Sequence, residues 1–368
     1  MKTIMITMMA RLTSLVFAAI LVCPHLAWAG MGADVADVGR NEVGKKQVPV
    51  IRKLGTIDLD MVETTPIVFN GRLYRFESVR PDYAHNPGES SYYRFIDVET
   101  GDSTPAFGEH HALGSAYAED GTMYVFGVRG WGTPTINVFW SRDLKAWESK
   151  PVLELPGWTI FNTTVCKAGD RYMMAFEVGE PKDVVGNGFT NRFAESADLR
   201  DWTLLSDEHV FTKAHYSACP SLRYIDGMFY MTYLHPQPGY NFETHLVRSP
   251  DLIAWEPSPR NPILKASPED KQIANAELTD EQRAAVASAL NRNNSDVDFC
   301  EFNGEVVIYY SWGDQVGNEF LAEARYPGTL EQFLTNMFEG NNPRNASGQG
   351  HMSESGPGSP TCWSTPAP

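Results

Sequence analysis

The sequence predicts an all-β fold: a five-bladed β-propeller with a short helical insertion between blades four and five. Three observations predict it. One turn phrase recurs at near-constant spacing, one type of hairpin recurs five times, and the composition (12% aromatic, 30 Gly, 24 Pro) favours strands and turns over helices. A repeat of about 50 residues built from hairpins is the mark of a propeller, whereas a β-sandwich has no reason to repeat one turn phrase at a fixed period.

The turn phrase is Ser-x-Asp-Leu-x-x-Trp. It reads Ser141-Arg142-Asp143-Leu144-Lys145-Ala146-Trp147, then Ser196 to Trp202, then Ser249 to Trp255, at spacings of 55 and 53 residues. Ser and Asp begin a tight turn by accepting from backbone amides, Leu plugs inward, and Trp opens the next strand. The hairpins turn at Asn70-Gly71, Asp120-Gly121, Gly169-Asp170, Asp226-Gly227 and Asn303-Gly304, each between apolar, aromatic-bearing runs. Two of the five units lack the full turn phrase, as terminal repeats often do. The step from Gly227 to Gly304 is 77 residues, against 50 from Gly71 to Gly121. The excess lies around 265–294, where Thr279-Asp280-Glu281-Gln282 forms a capping box opening the run Arg283 to Leu290. That segment is expected to be a short helix, either roofing the funnel or lying on the surface.

The ends read differently. Residues 1–29 carry Lys2 and Arg11, an apolar run from Leu12 to Val22 and the small-x-small site Ala27-Trp28-Ala29, which is the pattern of a secretory signal cleaved after Ala29. The run is too short to span a bilayer, so no membrane insertion is expected after cleavage. Residues 30–50 read as linker, 51–339 as one propeller, and 340–368, rich in Gly, Ser, Pro and Asn, as a disordered tail. The formal net charge of −16 becomes −18 once Lys2 and Arg11 are removed, which argues against a nucleic-acid partner. Oligomeric state is not legible. Of the cysteines beyond the signal, Cys166, Cys219 and Cys300 fall in apolar runs and are expected as free buried thiols, while Cys362 lies in the tail; there is no C-x-x-C pair for zinc.

Propellers bind ligands where the innermost strands begin. Counting eight residues back from each hairpin Gly gives Glu63, Leu113, Cys219 and Asp296, and the shorter third unit offers Asn162. A core strand needs no carboxylate at its inner end, so Glu63 and Asp296 stand out, with Asp298 on the same face as Asp296. Glu77 and Glu177 each end an aromatic-rich second strand. Glu63, Glu177 and Asp296 are the candidate catalytic acids. Glu77, Arg80, Arg129, Trp131, Trp158, Asn162, His215, Asp298 and Trp312 are candidate substrate contacts, since sugar rings stack on Trp and Arg forks bind hydroxyls or carboxylates. The histidines at 110, 111, 215, 235 and 245 lack metal-ligand spacing, so no metal or cofactor is expected, although a structural cation in the channel is compatible with the pattern.

With the turn phrase and five units in place, residues 51–339 resemble the five-bladed glycoside hydrolases of family 43, with families 32, 68, 117 and 130 as relatives. The resemblance implies an inverting glycosidase with a base in blade one, an acid in blade four and a third carboxylate, the acid and base about 6.5–9.5 Å apart. Glu63 falls at the base position and Asn162 near the third acid. Where the family reads Glu-Gly-Pro in blade four, this chain has Ala218-Cys219-Pro220, so either another group donates the proton, with Glu177, Asp296 and His215 as candidates, or the chain does different chemistry. The chain therefore lies outside family 43 proper. The expected activity is that of a secreted or periplasmic glycosidase, exo-acting because a funnel suits chain ends, on plant or algal oligo- or polysaccharide. A non-catalytic glycan-binding propeller is one alternative. The other is a family 130-like sugar phosphorylase, with Arg80, Arg129 and Arg192 for phosphate. The added arginines hint at an anionic or sulfated glycan.

Overall fold

The computed structural model describes residues 49–339, apart from 87 and 187. The signal, most of the linker, the tail and Cys362 lie outside the described residues. Five antiparallel sheets form five blades. Blade one is Thr65–Phe69, Arg72–Val79 and Tyr92–Asp97, three strands only, with isolated bridges from Tyr93 to Phe107 and Ile96 to Ser103 along its outer edge. Blade two is His111–Glu119, Thr122–Arg129, Thr135–Ser141 and Glu148–Glu154. Blade three is Thr159–Ala168, Arg171–Glu180, Thr190–Ser196 and Trp202–Leu204. Blade four runs from Ser221–Ile225 through Met228–Gln237 to Asn241–Ser249, whose outer edge pairs with both Glu256–Pro257 and Leu264–Lys265.

Blade five holds Ser295–Phe302, Glu305–Gly313 and Glu319–Pro327, and its outermost strand comes from the other end of the fold: Arg52–Leu59 pairs antiparallel with Glu319–Pro327. This pairing closes the ring. Nothing in the repeat foretells it, because the closing strand precedes the first repeat unit.

The five hairpins form where the turns require. Asn70-Gly71, Asp120-Gly121, Asp226-Gly227 and Asn303-Gly304 have positive φ at both residues, the geometry of a turn whose twist matches its strands. The Ser-Asp-Leu-Trp turns behave alike in all three copies. In the first, Ser141 Oγ accepts from the amides of Asp143 (3.2 Å) and Leu144 (2.9 Å), and Asp143 Oδ1 accepts from Lys145 and Ala146 (both 2.9 Å). The turn throws Leu144, Leu199 and Leu252 into the left-handed region (φ 60°, 66° and 61°), and all three are buried. The strain of a left-handed Leu, about 1–2 kcal/mol, is offset by side-chain burial and the amide bonds. Ser196→Ala is therefore expected to cost about 1–2 kcal/mol in denaturant unfolding by stranding the amides of Asp198 and Leu199, with kinetics unchanged.

Each of five apolar clusters fills the gap between two neighbouring blades. Phe76, Phe95 and Val125 sit between blades one and two, Phe126, Ile160 and Phe176 between two and three, and Phe193, Leu222 and Met231 between three and four. Leu246, Phe299 and Trp312 sit between four and five, and Ile57, Leu73 and Tyr309 between five and one. Alternation along each strand feeds one face to each neighbour.

The insertion after blade four contains the expected helix, Asp280–Ser288, capped by Thr279 and Gln282 in a reciprocal box. It stops short of Leu290, which is 53% exposed, because the chain turns away to place Asn291 Nδ2 on Asp270 Oδ2 (2.8 Å). Its buried side chain, Val286, joins the cluster between blades four and five, so the helix is anchored in the fold there. Asp270 is the centre of a buried knot. It accepts from Lys53 Nζ (2.6 Å), Tyr310 Oη (2.8 Å), Asn291 and Asn294 Nδ2 (3.1 Å), and Lys53 also donates to Ser267 and Asn294. The knot ties the closing strand, the insertion and blade five together.

Candidate active site

The residue counted eight back from the hairpin Gly proves to be a structural position, not merely a number. Glu63, Leu113, Cys219 and Asp296 all have left-handed backbone (φ 46°, 56°, 55° and 50°). In blades two and five the strand register skips at this point, between Ala112 and Ser115 and between Ser295 and Asp298. A bulge with a left-handed residue re-aims its side chain and bends the strand, and such outliers gather at functional sites. In blade three the irregularity falls across from Asn162, where Glu177 stands on the second strand between Phe176 and Val178.

These positions converge. A cavity with about 310 Å³ of space, open to solvent, takes residues from all five innermost strands: Glu63 and Thr65, Gly114 and Ser115, Asn162 and Thr163, Cys219 and Pro220, Asp296 and Asp298. Glu63, with a side chain only 7% exposed, is paired through Oε1 with Arg80 Nη2, while its Oε2 is buried with no partner. Burial pushes its carboxyl up to about 8; Arg80 opposes this, and the charges of Asp296 and Glu177 add to it. The Arg80 guanidinium lies over the Trp131 ring (4.9 Å) and near Tyr83 (5.6 Å), and Trp131, 61% exposed, rests edge-on against Phe161.

Glu177 is buried. Its Oε2 accepts from the amide of Cys219 (3.0 Å) and from Asn162 Nδ2 (3.0 Å). Burial raises its carboxyl to about 7, against the pull of those two donors and with a further push from Asp296. Asp296 Oδ2 accepts from Ser311 Oγ (3.3 Å), and its charge is felt by Glu63, Glu177, Cys219 and Tyr216 alike, which makes it the shared neighbour of the group. Asp298 lies deeper, bonded to Ser221 Oγ (2.7 Å) and to Arg223 Nη2 (2.5 Å), and so joins blade five to blade four.

Thus Glu63, Arg80, Trp131, Asn162, Glu177, Asp296 and Asp298 assemble at one end of the ring, and other expected contacts sit elsewhere. Trp312 is fully buried, stacked on Phe320 (4.5 Å) with its Nε1 donating to Thr56 Oγ1 (2.9 Å); it is core. Trp158 packs against the cluster between blades two and three with the buried Arg192 guanidinium over its ring (5.2 Å), and Arg192 also pairs with Asp207. Arg192 is therefore committed to packing and does not offer itself to phosphate. Glu77 is fully buried between Arg75 and Arg94, and Arg75 continues to Asp58 of the closing strand, so this carboxylate helps hold blade one to blade five. Arg129 is exposed at the end of its strand. His215 bonds the Tyr216 carbonyl and packs with Tyr233, His235 and His245 in blade four. Burial pulls His235 and His245 down to about 4, and no group that could hold a metal is found among the described residues.

Three groups near the carboxylates escaped sequence reasoning. Tyr83 and Tyr216 are pushed well above the ordinary phenol by burial and by these carboxylates, and the Tyr83 hydroxyl is buried without a partner. Both lie in loops that carry no repeat. Glu319 opens the third strand of blade five, a position the repeat does not mark, and burial together with Asp296 raises it to about 7. Among the described residues the free thiols are Cys166, which is buried, and Cys219 and Cys300, which are only partly buried; burial raises Cys166 and Cys300 to about 12 and lifts Cys219 well above the ordinary thiol.

No protein-family model matches the sequence, and no curated protein sequence matches it significantly. Solved structures do match the fold. A complex of BT0996 with RGII aligns with TM-score 0.54 at 14% identity, covering 76% of this protein and 92% of that one. This protein has the five-bladed propeller fold seen in glycoside hydrolases. A structure described as a glycoside hydrolase matches over the same shares at 13% identity and TM-score 0.54. The α-L-arabinofuranosidase PaAbf62A of Podospora anserina, in complex with cellotriose, matches at 10% identity and TM-score 0.52, over 77% of this protein and 99% of that one. At these identities the likeness is one of fold.

Proposed function

We propose that this protein is a glycoside hydrolase, exo-acting and inverting, exported by the signal at residues 1–29, and active on plant or algal oligo- or polysaccharide. One observation carries the reading. Beside the blade-four position that lacks the acid stands Glu177 of the neighbouring blade, whose carboxyl is bonded to the amide of Cys219 and raised to about 7. A carboxylic acid that holds its proton near neutral pH, beside a second carboxylate, is the equipment for cleaving a glycosidic bond.

Glu177 then donates a proton to the leaving oxygen, and Asp296 takes one from the attacking water. Glu63 is the poorer base, since Arg80 occupies one oxygen and burial keeps the carboxyl up at about 8. Its unpartnered Oε2 suits a sugar hydroxyl, and Trp131 gives a ring face at the rim. The neighbouring structures fit this reading: the arabinofuranosidase was solved with cellotriose, which makes a saccharide ligand the natural first probe.

Asp296→Ala is expected to lower kcat by about 10³-fold. Azide should restore turnover and yield a glycosyl azide of inverted configuration, read by proton NMR. Unchanged kcat, or an azide product of retained configuration, would remove the base assignment. Release of reducing sugar in phosphate-free buffer separates hydrolysis from phosphorolysis, and binding without turnover would point to a glycan-binding propeller.

A further inference from the structure

Behind Asp296 runs a chain of donors that the catalytic reading does not use. Ser311 Oγ reaches Asp296 Oδ2 at 3.3 Å, and Ser295 and Ser311 share a hydroxyl contact of 2.8 Å. Asn293 Nδ2 then reaches Ser295 Oγ at 3.3 Å and Glu319 Oε2 at 3.5 Å. Every proton can point one way along this path. The Asn293 amide gives one N–H to Ser295 and one to Glu319, Ser295 gives its O–H to Ser311, and Ser311 gives its own to Asp296. Asn293, Ser295 and Ser311 are all at most 1% exposed, so water does not compete for these bonds.

The far end of the path is built, not incidental. Glu319 Oε1 accepts from the amide of Gln315 (2.8 Å), which fixes the carboxylate, and Gln315 Nε2 returns to Ser295 Oγ (3.3 Å). Facing it is Gly313 at φ +156°, where an added Cβ would lie 1.9 Å from the Asn318 carbonyl oxygen and 3.0 Å from Glu319 Oε2. A side chain here would collide with the Asn318 carbonyl and press on the Glu319 carboxylate as well.

We propose that Glu319 is a positioning residue for Asp296, acting through Asn293, Ser295 and Ser311. Its carboxylate orients the Asn293 amide, which leaves the two serine hydroxyls only one satisfactory direction, toward Asp296. That direction aims a donor at Oδ2, while the thiol of Cys219 bonds the same carboxylate from the blade-four side. The inference rests on Asp296 being the base, and it assigns the group that holds that base in line.

The test uses the whole protein and four variants: Glu319→Ala, Asn293→Ala, the double variant, and the conservative Glu319→Gln. Each single alanine variant is expected to lower kcat about 10-fold with KM within 2-fold, and the double variant should fall no further, because one path is cut in two places. Glu319→Gln, which keeps an oxygen for Asn293, should recover most of the rate. Additive losses, or a loss seen only in KM, would overturn the proposal. Crystal structures of wild type and Asn293→Ala give a readout that needs no turnover. Rotation of the Asp296 carboxylate, with loss of the Ser311 contact, supports the path even if no glycoside is cleaved, in which case the hydrolase reading alone fails. An unmoved Asp296 in that variant would sink the proposal.

Discussion

Glu177→Gln is expected to lower kcat on natural glycosides by about 10³–10⁴-fold, with far smaller losses on aryl glycosides whose leaving group needs no proton. The wild type should lose activity as pH rises through about 7, because the acid works only while Glu177 holds its proton. The same variant should unfold at higher temperature. A carboxyl raised in the folded state binds its proton more tightly there than in the unfolded chain, so its stabilising contribution is full below the ordinary value near 4.5 and is lost as pH rises through about 7. At pH 8 the folded protein therefore carries a buried, repelled charge that Gln abolishes, a gain of roughly 1 kcal/mol or more. Kinetics on paired substrates and a thermal melt at pH 5 and pH 8 read both effects. If Glu177→Gln leaves kcat intact, Glu177 is not the acid.

Asp270→Ala should produce the largest loss of stability. Asp270 is fully buried, and Lys53, its partner across the ring closure, has a side chain only 11% exposed. Removing the carboxylate leaves the Lys53 ammonium without its buried counter-charge, strands the Tyr310 hydroxyl and takes one acceptor each from Asn291 and Asn294, which keep the Ser267 and Asn293 carbonyls. Breaking such a pair costs about 3–5 kcal/mol, a fall in Tm on the order of 10 °C. The double change Lys53→Met with Asp270→Leu should cost less than Asp270→Ala alone, since no charge is then left unpaired. Circular dichroism melts of the three proteins decide it; equal Tm for wild type and Asp270→Ala would show that the knot adds nothing.

The hairpins and the Ser-Asp-Leu-Trp turns were legible because their chemistry is local: a hydroxyl, a carboxylate and the next few amides settle the geometry. Counting along the repeat then located Glu63, Asn162 and Asp296, because equivalent strands place equivalent residues at the mouth. Glu177 was legible as a carboxylate in an apolar strand. Residues whose role depends on another strand or loop were not legible. Trp312 and Trp158 look like sugar platforms in sequence, yet each is covered by a side chain from another strand of its own blade. Glu77 looks like a substrate contact at a strand end until Arg75 and Arg94 are seen on either side. Glu319 gave no signal, since its importance arises from Asn293 and Ser311, which no periodicity connects to it.

The pairing of Arg52 with Arg325 also sets a timetable. Blades two, three and four can each form from contiguous sequence soon after emerging from the ribosome, but the last blade must wait for its final strand while the first strand is held in reserve. During that interval Arg52–Leu59 and the edge of Glu319–Pro327 are unpaired strands, open to the wrong partner. A permuted protein that begins at blade one and carries the closing strand after blade five would remove the wait, and should refold faster while keeping the same ring.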